Sequence, residues 1–79
     1  MEWIENDNKL LKKFAFRDFA QAMAFMQSVA LVCEEMDHHP WWSNSYNVVE
    51  IQLQTHSKGD IVTSKDRQLA KEIDKIYAP

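Results

Sequence analysis

The sequence holds a single cysteine, Cys33. No internal disulfide can form, and a zinc site built mainly from cysteines is excluded. Only one glycine and two prolines occur among 79 residues. Chain breaks must therefore fall to Asn, Asp and Ser. No apolar run approaches the ~20 residues needed to cross a bilayer. The N-terminal Met1-Glu2-Trp3-Ile4-Glu5-Asn6 lacks the basic flank and apolar core of a signal peptide. These absences predict a cytoplasmic protein with no membrane contact. Positive charge is not in excess either. The net charge of −3 disfavours direct binding to nucleic acid. Repeats, low-complexity stretches and linkers are missing, so the chain reads as one domain over residues 1–79.

What is present is a globular balance, 46% hydrophobic and 27% charged residues. A domain this small buries only ~60% of its unfolded surface. Self-association is a natural source of further burial. Three Trp and four Phe supply much of the available apolar area.

Residues 3–5 read as a short strand, Asn6-Asp7-Asn8 as a turn, and Lys9 to Phe16 as a second strand. Leu10, Phe14 and Phe16 alternate there, with Lys12 interrupting the face. A helix begins at Asp18, which with Gln21 fits a capping box. Phe19, Met23, Met26, Ala30 and Cys33 form one stripe. Ala22, Phe25, Val29, Val32 and Met36 form a second beside it. The three methionines within these stripes read as core filler. Pro40 ends the helix. Trp41 to Ser45 reads as a connection, and Tyr46 to His56 as the best strand. Asn47, Val49, Ile51, Leu53 and Thr55 share its core face, and a mostly polar set shares the other. Ser57 to Asp60 is a turn, and Ile61-Val62 a short edge strand. Thr63 then caps a second helix, with Asp66 completing the box. Leu69, Ala70, Ile73, Ile76 and Tyr77 form the buried stripe of that helix. The order β-β-α-β-β-α predicts an α+β two-layer sandwich, a four-stranded antiparallel sheet with both helices on one face.

The three histidines, His38, His39 and His56, fall close together in the chain. Imidazole titrates nearest physiological pH, so such a group points to proton transfer or metal binding. Adjacent histidines in an extended segment point apart, and no His-x-x-x-His spacing occurs, which argues against metal. Structural roles for each histidine stay open at this level. Glu34 and Glu35 lie in the last turn of the first helix, where the helix dipole disfavours acid. Such a break of a local rule tends to mark a functional site. Glu34 and His38 are four apart and share a helix face if the helix runs that far. Asp66 is explained by capping alone, yet a cap carboxylate is also free to hold a histidine. Trp41 and Trp42 suit either the core or the wall of a flat pocket.

Glu34, His38-His39-Pro40, Trp42, Tyr46-Asn47, Val49, Thr55-His56 and Thr63-x-x-Asp66 together resemble the pterin-4a-carbinolamine dehydratases. Phe14-x-Phe16-x-Asp18-Phe19, Ala22 and Phe25-Met26 extend the likeness to nearly the whole chain. The resemblance implies a four-stranded antiparallel sheet with helices on one side, in a homodimer or homotetramer. It implies loss of water from a 4a-hydroxytetrahydropterin, giving the quinonoid dihydropterin, without metal or organic cofactor. His38, His39 and His56 are then the active-site histidines. His39 and His56 form the expected proton-transfer pair, with His38 on the pterin. Glu34 and Asp66 orient histidines or bind the pterin edge, and Trp42 lines the pocket. Two departures stand out. Family members carry about one helix ahead of the Trp3 position, and the turn after His56 is one residue longer here. Any contact made by such a helix, and the pocket shape beside that turn, are expected to differ.

Dehydration must give a proton to the departing 4a-hydroxyl and take one from a ring nitrogen. Groups with pKa near 7 do both well. Two other functions remain in view, a dimerising protein-binding module and a pterin-binding protein of another pathway without turnover. An intact histidine trio favours catalysis over both.

Overall fold

The computed structural model describes residues 2–77. Strand β1 (Ile4–Asn6) turns through Asp7 and Asn8 into β2 (Lys9–Ala15). Both turn residues take left-handed backbone, φ 52° and 62°. Two such residues match the right-handed twist of the flanking strands, and Asp and Asn tolerate the conformation best. Helix α1 (Phe19–Met36) follows, then β3 (Trp41–Ser45), β4 (Val48–Leu53), a 3-10 turn at His56–Lys58, and helix α2 (Ser64–Tyr77). The strands lie in the order β1-β2-β4-β3, all neighbours antiparallel.

Register places Leu10, Lys12 and Phe14 of β2 opposite Leu53, Ile51 and Val49 of β4. All of these except Lys12 are buried. Ala22, Phe25, Val29 and Cys33 of α1 and Leu69, Ala70 and Ile73 of α2 join them in one core. The alternate β4 residues Val48, Glu50 and Gln52 are half-buried on the other face. Strand alternation thus separates a helix-covered face from an open one. In α1, the second stripe and Cys33 carry the burial, while Phe19 is 48% exposed.

Lys12 keeps its place on the covered face through Asp74. Its Nζ lies 2.8 Å from Asp74 Oδ1 and is nearly buried, 5.0 Å from the centre of the Phe14 ring. The same carboxylate oxygen accepts from Trp3 Nε1 at 3.0 Å. A charge taken from water needs such a partner. The pair ties both ends of the chain to the sheet.

Four strands form as the pattern predicts, but one lies elsewhere. Trp41–Ser45 is a strand, not a connection, with Trp42 and Asn44 paired to Ile51 and Val49. Tyr46 and Asn47 are its turn, not part of the next strand. Asn44 Nδ2 donates to Tyr46 O (3.1 Å) and Val48 O (3.0 Å), and Tyr46 takes φ 51°. A side-chain amide replaces the glycine that usually announces a hairpin. Gln54 to His56 leave the strand early. Ile61-Val62 forms no strand, only a bridge from Ile61 to Thr55. The sheet edge is instead supplied by Trp41–Ser45.

Candidate active site

The end of α1 sets the site. Asp18 caps its start, accepting from Gln21 N at 2.9 Å. The Gln21 side chain returns the bond to Arg17 N, one residue upstream of the usual box. At the other end Asp37 adopts left-handed backbone, φ 51° and ψ 46°. Asp37 N donates to Glu34 O and His38 N to Cys33 O. This pair of bonds is a Schellman motif, with Asp in the position usually held by Gly. The left-handed residue turns the chain sharply. His38 is swung inward and His39 outward.

His38 is therefore buried, 8% exposed. Its Nε2 lies 2.6 Å from Asp66 Oδ1. Asp66 is wholly buried. Its Oδ2 accepts from Thr55 Oγ1 at 2.7 Å and from Thr63 N at 2.9 Å. One carboxylate thus completes the α2 capping box, anchors the end of β4 and holds a histidine. Three bonds satisfy a group that would be costly to bury bare.

The sequence pairing of Glu34 with His38 fails. The helix stops at Met36, so His38 no longer shares the face of Glu34. Its successor takes that place, with His39 Nε2 at 2.5 Å from Glu34 Oε2. Both side chains are more than half exposed.

His56 opens the 3-10 turn beyond β4. Its Nδ1 lies 2.7 Å from Asp60 Oδ1. Gly59 (φ 88°) and Asp60 (φ 59°) are both left-handed, and Gly59 N and Asp60 N close onto His56 O and Thr55 O. The turn thereby brings an acid back onto the imidazole. Each of the three histidines faces one carboxylate, which fixes its ring and tautomer.

A hollow of about 410 Å³ is lined by all three histidines, with Asp37, Gln54 and Lys65 among its other walls. That volume suits a small ligand. A second hollow adjoins it across His39, Gln54 and His56. Glu34 and Trp42 stand apart, lining a small hollow of about 190 Å³ beneath His39 and Pro40. Trp42 also packs against the core, while its neighbour Trp41 is 57% exposed. The six residues expected from sequence therefore meet around His39, with Asp66 acting from behind His38. Gln54, Asp37 and Lys65 were not singled out. Gln54 lies two residues before His56, and Lys65 directly precedes Asp66, so their neighbours were the available signal.

Among the described residues, no three His, Cys, Asp or Glu side chains converge as a metal site would require. Cys33 lies below the small hollow. Burial pushes its thiol from 9.0 up to about 11, with nearby Glu34 adding to the rise. It is protonated at neutral pH and a poor nucleophile. No described helix is long and apolar enough to cross a membrane.

Comparison with known proteins identifies the family. A protein of Prochlorococcus marinus, provisionally named pterin-4-alpha-carbinolamine dehydratase, is 49% identical over 74 residues, covering 94% of this chain and 77% of its own. One of Rhodospirillum rubrum with the same provisional name is 52% identical over 67 residues, covering 85% and 69%. The crystal structure of a transcriptional coactivator/pterin dehydratase from Brucella melitensis superposes with a TM-score of 0.89 at 36% identity, over 98% of this chain and 81% of that one. A pterin dehydratase-like protein identified as a RuBisCO assembly factor in the alpha-carboxysome superposes at 0.82 with 27% identity, over 99% and 92%. The family model for pterin 4 alpha carbinolamine dehydratase matches residues 1–76. With that match over nearly its full length, the chain belongs to the pterin 4 alpha carbinolamine dehydratase family.

Proposed function

We propose that the protein removes water from 4a-hydroxytetrahydropterins, returning quinonoid dihydropterin for reduction back to the tetrahydro form. The observation that carries this reading is one hollow lined by three histidines, each fixed by its own carboxylate. His39 and His56 are the exchangeable pair, since both are exposed. One gives a proton to the 4a-oxygen, and the C4a–O bond breaks as water leaves. The other takes the N5 proton, and its electron pair closes the C4a=N5 bond. Proton exchange with solvent then resets both rings. Each step needs only a positioned general acid and a positioned general base. His38, locked on Asp66, makes a fixed contact to the pterin. Glu34 orients His39, and Trp42 backs that segment from the core side. The reading includes a homo-oligomer, supported by Phe19 and Leu31, which stand 48% and 68% exposed on α1.

The test is dehydration of freshly generated 4a-hydroxytetrahydropterin by wild type and by a His38/His39/His56 triple alanine variant. Acceleration by wild type alone supports the reading. No acceleration over buffer by folded protein refutes it. His39→Ala by itself should remove most activity and leave the fold intact.

A second reading follows from the relative identified as an assembly factor. The open sheet face carries an apolar hollow of about 300 Å³ with Ile4, Leu11, Lys13 and Glu50 in its walls. A protein-binding role would use such a surface and would leave the histidines dispensable. Retention of a partner by the triple alanine variant favours it.

A further inference from the structure

The larger hollow shares His39 and His56 with the reaction, but its remaining walls are not used by it. It holds about 530 Å³ and meets the three-histidine hollow at His39, Gln54 and His56. Its own walls include Lys9, Pro40, Trp41 and Gln52. Trp41 presents an exposed indole at the start of an edge strand, opposite Gln52. The side-chain amide nitrogens of Gln52 and Gln54 are already committed, to Glu50 and to the Asn8 and Asp60 carbonyls. Asp60 also faces this space, but His56 Nδ1 holds its Oδ1. Lys9 differs from all of these. Among the described residues its ammonium meets no carboxylate within salt-bridge distance.

We infer that this hollow receives the C6 substituent of the pterin, and that it suits a substituent bearing an aromatic ring followed by a carboxylate. The inference rests on the three-histidine hollow taking the ring system. The two spaces join at His39, Gln54 and His56, so a substituent leaving the ring past these residues enters the neighbouring space. An aryl ring finds the Trp41 face and the Pro40 ring there, and aromatic pairs favour offset or edge packing. A carboxylate beyond the ring finds Lys9, a cation with no other partner on the wall. A short hydroxylated chain would fill little of the space and leave Trp41 in water.

The test compares two probes on the intact protein, 6-methyl-7,8-dihydropterin and 7,8-dihydrofolate. The second adds the aryl and carboxylate groups. Wild type should bind it about tenfold more tightly, the gain of one aromatic stack and one exposed ion pair together. Trp41→Ala and Lys9→Ala should each cut that preference by roughly threefold, leaving affinity for the methyl probe in place. Added salt should weaken the Lys9 share. Equal affinities for both probes would overturn the inference and leave the ring site standing. So would a preference that both variants retain, or a loss of methyl-probe binding in Trp41→Ala. Failure of both probes to bind would remove the proposed ring site and this extension with it.

Discussion

Replacing Asp66 separates its structural bonds from its hold on His38. In Asp66→Ala, Thr63 N loses its capping partner and His38 its carboxylate. The Thr55 hydroxyl loses less, because Thr63 Oγ1 stands 2.6 Å away. A lost cap costs about 1 kcal/mol, and an orphaned buried polar group about 1–3 kcal/mol. Together these predict a loss of roughly 2–4 kcal/mol, or a fall in Tm of at least about 8 °C for a domain of this size. Asp66→Asn is the sharper probe. Its amide oxygen keeps Thr55 and Thr63, and its nitrogen turns toward His38. Facing a donor, His38 must present a lone pair at Nε2 and carry its proton on Nδ1. Exchanging a charge-assisted bond for a neutral one costs about 1 kcal/mol, roughly 4–8 °C in Tm. The fold survives, but the fixed contact to the pterin changes sign. Nitrogen-15 NMR of the imidazole should show the tautomer exchange. The kcat/KM should fall about tenfold or more, the scale on which partners of a functional imidazole act. An Asn variant with the wild-type tautomer and full activity would refute the role given to this carboxylate, as would an Ala variant melting where wild type melts.

Asp74→Ala strips the nearly buried Lys12 of its partner and Trp3 Nε1 of its acceptor. Partial exposure of Asp74 moderates the cost to about 1–3 kcal/mol, readable in urea unfolding, and Lys12→Met with Asp74→Ala should recover part of it. Asp37→Gly relieves a left-handed residue and should hold or raise Tm, while Asp37→Val should cost at least about 1–2 kcal/mol at the same backbone position. Cys33 has a raised folded pKa, so its contribution to stability is complete below about pH 9 and is lost as pH rises toward about 11. Stability scans should therefore decline over that window in wild type and less in Cys33→Ala, and thiol alkylation of native protein at pH 7 should be slow.

The sheet's two central strands, both helices and both caps were legible because each rests on local chemistry. Alternation marks Val49, Ile51 and Leu53, and Thr63-x-x-Asp66 spells its own bonds. The β3–β4 hairpin was not legible. Its turn depends on the Asn44 side chain reaching over Tyr46, and nothing in Trp-Trp-Ser-Asn-Ser alternates in polarity. At the site, the histidines, Glu34 and Asp66 were visible as residue types. Their pairing was not, because one left-handed residue at Asp37 decides which histidine Glu34 meets. Lys12 looked like an interruption for a similar reason: its partner lies 62 positions along the chain.

The inward and outward turn of the His-His pair has a consequence for how the chain can vary. Two identical side chains, joined by one peptide bond, have unlike obligations, one to the interior and one to solvent. Their identities are assigned by counting residues from the helix end. A one-residue deletion in the last turn of α1 would keep both histidines and the proline after them. It would nonetheless move His39 into the place facing Asp66 and bring Pro40 to the outward position. Length in this segment is therefore as strictly constrained as residue type, and substitutions should be tolerated there more readily than insertions or deletions.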